Sequence, residues 1–134
     1  MALLLDTHTV LWLTEDQPRL GRAARRACNA ALAADEIAIS AITYYELGLQ
    51  LQKRRIGGPS DLGEWRQRMV ALGLREIPVS AVIAMRASGL SNLAGDPIDR
   101  IIVATAQVED AILLTADGSL LDGQGRVRRQ DAQR

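Results

Sequence analysis

The sequence predicts an α/β fold, a three-layer α/β/α sandwich around a mostly parallel sheet of four to five strands. Three observations predict it. Residues 2–5, 37–40 and 111–114 are short, largely apolar runs of the kind that form strands buried on both faces of a sheet. Helical patterns alternate with these runs, which implies right-handed βαβ connections. The 134 residues, 48% of them hydrophobic, are enough for one domain with a modest core.

The first strand, at 2–5, is ended by Asp6 and Thr7. A helical pattern then runs through Val10, Leu11 and Leu13 to a break at Pro18, and a second, rich in alanine and arginine, covers 21–34. The strand at 37–40 leads into a helix from Ile42 to about Arg54, carried by Leu47, Leu49 and Leu51 and weakened by Gly48. Gly57-Gly58-Pro59-Ser60 punctuates the chain as a loop within one domain, ahead of a helix at 61–72. A third strand is expected at 75–77, followed by Pro78 and a helix at 81–88. Segment 91–96, SNLAGD, reads as polar and flexible. Pro97 suits a first helical position, and Ile98, Ile101, Ile102, Thr105 and Val108 form a core-facing stripe. The fourth strand is at 111–114. A single domain is expected over 1–122, with 123–134 a tail that frays and offers at most one weak edge strand around Val127.

Sixteen Lys+Arg balance sixteen Asp+Glu, so net charge points to no nucleic-acid or membrane partner. All the bases but Lys53 are arginine, whose planar fork suits phosphate and carboxylate, although genome composition explains the skew equally well. Cys28 is the only cysteine, which excludes an intramolecular disulfide and a thiolate metal site and fits a reducing, cytoplasmic setting. The opening MALLLDTHTVLWL lacks a basic leader and is interrupted by Asp6 and His8, so it is read as neither a signal peptide nor a spanning helix. There is no phosphate loop, no GxGxxG fingerprint and no Cys/His metal pattern.

Asp6, Glu46, Asp99 and Asp117 sit just after, or within one helical turn of, the apolar runs. In a parallel sheet the carboxyl ends of the strands share one edge, so such residues converge in space. Convergent carboxylates bind hard cations such as Mg²⁺. Each acid also has a plain structural explanation. Asp6 can cap the next helix, Thr43-x-x-Glu46 matches a capping box, Asp99 complements a helix dipole behind an Asp96 cap, and Asp117-Gly118 suits a turn. Together they are harder to explain this way, because two like charges about 4 Å apart repel by roughly 1 kcal/mol in water and about 4 kcal/mol at an intermediate dielectric.

LLLDTHTVLWL, ISAITYYEL, GDPIDRIIVATA and LLTADGSL resemble, in that order, the signature blocks of PIN-domain proteins, in particular the VapC-type ribonuclease toxins of toxin–antitoxin pairs. The opening block and the DPIDRIIVATA helix are the most specific. The resemblance implies a PIN-like fold and a metal-dependent endoribonuclease, with Asp6, Glu46, Asp99 and Asp117 as the acidic quartet. Asp6 and Asp99 would be the primary metal ligands, Glu46 and Asp117 supporting ones, and Asp96 a cap outside the cluster. It further implies Mg²⁺ or Mn²⁺ as cofactor, RNA as substrate, a VapB-like antitoxin, and a homodimer. The alternatives are a catalytically silent PIN-like binding module and an RNA-processing nuclease without an antitoxin. Tyr45 keeps an aromatic common before the glutamate, whereas Ala94-Gly95 stands where many relatives carry a histidine.

Around the quartet, Thr7, Ser40 and Thr115 are placed to orient carboxylates, and Arg100 is a candidate phosphate contact. His8 is set aside as a general base, since on an extended chain it points away from Thr7. Trp12, Trp65, Tyr44 and Tyr45 are read as core, and the 61–72 helix, with Arg66 and Arg68, as a candidate partner surface. An aspartate-nucleophile phosphatase would need an acid where His8 stands. A phosphoacceptor signalling domain would need a late lysine, and the chain has only Lys53.

Overall fold

β1 (Leu3–Leu5) is buried along its whole length, and parallel strands flank it on both sides. The computed structural model describes residues 2–53, 61–90, 96–121 and 127–134. Within them β1 is followed by α1 (Thr7–Thr14), α2 (Arg22–Ala33), β2 (Ile37–Ser40), α3 (Ile42–Gln52), α4 (Leu62–Leu72) and β3 (Arg75–Ile77). Then come α5 (Ala81–Ser88), α6 (Pro97–Val108), β4 (Ile112–Thr115), the short α7 (Gly118–Leu121) and β5 (Arg128–Asp131). The strand order is β3-β2-β1-β4-β5 and every pair is parallel.

Alternation along the strands divides the core. Leu3, Leu5, Ile37, Ile39 and Leu114 pack with Val10, Cys28, Leu47, Trp65 and Met69. Leu4, Ala38, Ile77 and Leu113 pack with Ile83, Ile102, Val103 and Leu120. The sheet thus carries a helical layer on each face, the expected sandwich. The thiol of Cys28 lies inside the first layer, where burial pushes its pKa up to about 11 despite nearby Arg25, so it is an inert core group. Among the described residues no helix is long and apolar enough to cross a membrane.

The strands at 37–40 and 75–77 and the helix at 81–88 form where the pattern placed them. The loop at 57–60, segment 91–95 with Ala94-Gly95, and the expected domain boundary at 122–123 lie outside the described residues. The described part of the tail, 127–134, carries a paired strand instead of a frayed end. β5 pairs with β4 from Ile112↔Arg128 through Thr115↔Asp131, and Ala132 beyond it is fully buried. An edge strand of sequence RRQD gains its stability from ladder hydrogen bonds rather than from its own apolar run, so the sequence offered it only as a weak strand around Val127. The tail also closes the start of α2. The Gly21 N–H donates to the Ala132 carbonyl and the Ala23 N–H to the Arg134 carbonyl, each at 2.8 Å, which satisfies two donors that a helix N-terminus leaves open. A Cβ at Gly21 would stand 2.2 Å from the Arg134 carbonyl carbon, so only glycine fits this crossing.

A polar clamp ties α3, α4 and edge strand β3 together. Arg66 donates two hydrogen bonds to Glu76, each at 2.8 Å, and the Tyr44 hydroxyl donates a third. Tyr44 meets buried Trp65 edge to face at 5.8 Å. These bonds hold the Glu76 carboxyl well below the usual range, at about 2. A carboxylate depressed in this way stabilises the fold above its unfolded value and loses that contribution as pH falls through its folded value. Glu76→Gln is therefore expected to lower Tm at pH 7, with the difference from the parent closing as pH falls toward 2, as thermal melts across pH will show. The clamp also commits Arg66, leaving Arg68 alone on the arginine face expected for a partner.

Candidate active site

The sheet winds one way from β1 through β2 to β3 and the other way through β4 to β5. The reversal falls between β1 and β4, and a crevice opens outside the carboxyl ends of strands at such a switch point. Asp6 follows β1 and Asp117 follows β4, so two acids flank that crevice. Glu46 arrives from the first turns of α3, which leaves the same edge after β2. Asp99 arrives differently: it follows no strand, but lies in the first turn of α6, whose return path sets its N-terminus at the carboxyl edge. A cavity of about 410 Å³ collects all four, together with Thr7, His8, Trp12, Asp96, Ile102, Ala116 and Gln133.

Asp6 is buried and doubly held. Its Oδ1 accepts the Thr9 N–H at 3.0 Å, capping α1, and its Oδ2 accepts the Thr115 hydroxyl. Thr115 Oγ1 in turn accepts the Asp117 N–H at 3.0 Å. Thr115 therefore orients one acid directly and anchors the backbone of another. Asp117 also accepts from the N–H and hydroxyl of Ser119, at 2.9 and 2.7 Å, opening α7. Capping and membership of the site coincide in both acids.

Glu46 makes no capping box. Ala41, the N-cap of α3, uses no side-chain cap, and Thr43 lies inside the helix with its buried hydroxyl lacking a partner among the described residues. Asp99 feels its surroundings most. Burial first, then the charges of Asp96, Asp117, Glu46 and Asp6, push its carboxyl up to about 7. Asp96 caps α6 through the Ile98 N–H at 2.9 Å, as expected, yet it also lines the cavity. Its placement outside the cluster is corrected, because Asp96 and Asp99 share one turn of α6.

The supporting residues divide. Ser40 accepts the Ile42 N–H at 3.2 Å and shapes the entry to α3 rather than orienting a carboxylate. Thr7 lines the cavity, but its buried hydroxyl has no hydrogen-bond partner among the described residues. Arg100 is not part of the lining. His8 is, because Thr7 already begins a helix and the alternation of an extended chain does not apply. Trp12 lies one turn further on the same helix, while Gln133, from beyond β5, gave no signal in sequence.

Among the described residues no lysine or arginine lines the cavity with these five carboxylates. Its donors are the hard oxygens that Mg²⁺ or Mn²⁺ prefer. Among the described residues no three acidic, histidine or cysteine side chains stand as a ready-made metal cage.

The family model of the PIN domain matches residues 3–123. The chain belongs to the PIN-domain family. A curated PIN relative, Ribonuclease VapC22 of Mycobacterium tuberculosis, is 34% identical over 119 residues, 88% of each chain. A toxin–antitoxin complex from Klebsiella pneumoniae contains a chain 29% identical, matched over 87% of both chains with a TM-score of 0.57. A DNA-bound VapBC from Salmonella typhimurium, 18% identical, matches 98% of both chains with a TM-score of 0.72 and shares the fold. In PIN terms, the acids at the switch point come from the blocks that carried the resemblance.

Proposed function

We propose that this PIN domain is a Mg²⁺- or Mn²⁺-dependent endoribonuclease, acting in the cytoplasm as the toxin of a VapBC-type pair. One observation carries the reading: five carboxylates line one cavity with no lysine or arginine among the described residues of its lining, and Asp99 is pushed up to about 7. A divalent cation turns that repulsion into attraction. The relatives named as a ribonuclease and as a toxin–antitoxin complex support the reaction and an antitoxin partner.

Asp6 and Asp99 would hold the ion, with Glu46 and Asp117 completing the set. When bound, the metal supplies an acidified water and neutralises charge on the phosphoryl group. The chain's part is orientation. Thr9 and Thr115 fix both oxygens of Asp6, while Thr115 also fixes the backbone of Asp117. The exposed stripe Val79, Val82 and Met85 supports pairing of two copies, which sedimentation reads directly.

Purified protein is expected to cleave single-stranded or structured RNA with Mg²⁺ or Mn²⁺ and to stop when EDTA is added. Metal-independent cleavage would sink the mechanism. A small DNA-binding protein encoded next to this gene is expected to co-purify with it and block cleavage; failure to do so would favour RNA processing without an antitoxin.

A further inference from the structure

The acids occupy only part of their cavity. A cation with six waters takes roughly 200 Å³ at about 30 Å³ per water, against about 410 Å³ here. The remaining lining includes His8, Trp12 and Gln133, and an indole ring offers no ligand to a hard cation. His8 and Trp12 are four residues apart on α1 and share one helix face. The chain has only four aromatic residues, two of them tryptophan. Trp65 is sealed in the core, whereas Trp12 is half-buried at the cavity. Trp12 packs against the core with part of its surface and, unlike Trp65, also lines the cavity beside the acids.

Gln133 is held in place although it follows the last strand. The Ala132 N–H donates to the Thr115 carbonyl at 2.9 Å, and the Gln133 N–H donates to Asp131 Oδ1 at 2.9 Å. Its side-chain amide and the His8 imidazole form no hydrogen bond with any described residue. An amide provides both donors and an acceptor, the pattern found on the edge of a nucleobase. Unpaired bases in RNA are recognised by stacking on an aromatic ring and by hydrogen bonds to that edge.

We propose that Trp12, Gln133 and His8 form a nucleobase subsite of the acidic cavity, which takes one unpaired base next to the scissile phosphate. This rests on the ribonuclease reading above. Trp12 is the stacking platform, Gln133 reads the base edge, and His8 completes the wall along α1. The tail is then part of the specificity machinery as well as an edge strand.

The test uses single-stranded RNA oligonucleotides containing one mapped cleavage site, and copies with the base removed at single positions near it. For the parent protein, removing the base that meets Trp12 is expected to lower kcat/KM roughly 5- to 150-fold, the range for loss of one base–aromatic stack. Trp12→Leu is expected to lose that discrimination and to treat intact and abasic substrates alike, while Trp12→Phe restores it. Gln133→Ala is expected to flatten the preference among the four bases at that position. In Asp6→Asn protein, oligonucleotide binding is expected to quench tryptophan emission, and Trp12→Leu should remove the quench because Trp65 is buried. Unchanged base preference in both Trp12→Leu and Gln133→Ala, with RNA still cleaved by a metal-dependent parent, overturns the subsite and leaves the ribonuclease reading intact. Failure of the parent to cleave any RNA overturns both.

Discussion

Asp6→Asn is expected to reduce metal-dependent RNA cleavage by more than about 100-fold while leaving the fold nearly as stable as the parent. Even partners outside the metal's own ligands cost about 10- to 100-fold when removed, so loss of a direct ligand should exceed that. Stability should hold because asparagine is as good an N-cap as aspartate, and its carbonyl oxygen can still accept the Thr9 N–H. The substitution removes charge at the buried centre of the network and keeps its shape. Single-turnover cleavage assays with parallel thermal melts separate the two effects. Equal cleavage by Asp6→Asn removes Asp6 from the reaction, and a collapsed Tm assigns it to structure alone.

Asp99→Asn is expected to act in opposite directions with and without metal. In metal-free protein, burial and the surrounding Asp96, Asp117, Glu46 and Asp6 disfavour the charged form of Asp99. A carboxyl raised in the folded state binds a proton that the unfolded chain has released, so it lowers stability as pH rises from its ordinary value through about 7. The metal-free parent should therefore gain stability from this group as pH falls from 7 toward 4. Asp99→Asn should remove that slope and stabilise the metal-free protein at pH 8 by about 1–2 kcal/mol after allowance for solvent screening. With metal the order reverses. Mg²⁺ at about 100 times its Kd should stabilise the parent by roughly 2.7 kcal/mol, and Asp99→Asn should lose most of that gain. Thermal melts at pH 5 and pH 8, with EDTA and with Mg²⁺, give all four values. A parent that ignores Mg²⁺ would leave the acids with capping alone.

Much of this arrangement was legible in the chain because parallel strands buried on both faces leave dense apolar runs with a polar residue at each exit. Asp6 could be read from such an exit, and Asp99 from the helix start and core-facing stripe at 97–108. Several details were not legible. The Thr43-x-x-Glu46 spacing matches a capping box, but the helix begins at Ile42, before Thr43, and leaves Glu46 for the cavity. An extended chain would turn His8 away from Thr7, but the helix starts immediately after Asp6 and brings His8 to the cavity. β5 and Gln133 had no apolar signature, since an edge strand borrows its order from the neighbour it pairs with.

The sequence by itself determined the alternation of strands and helices, and hence the edge at which the acids emerge, because burial periodicity and helix caps are local properties. Tertiary structure alone decided which acids share a cavity, that Asp96 belongs with them, that Thr115 links Asp6 to Asp117, and that the tail returns to that cavity beside Trp12. Those outcomes depend on the strand order and the winding reversal between β1 and β4. They are contacts between residues as far apart as 6 and 115, which no local pattern encodes.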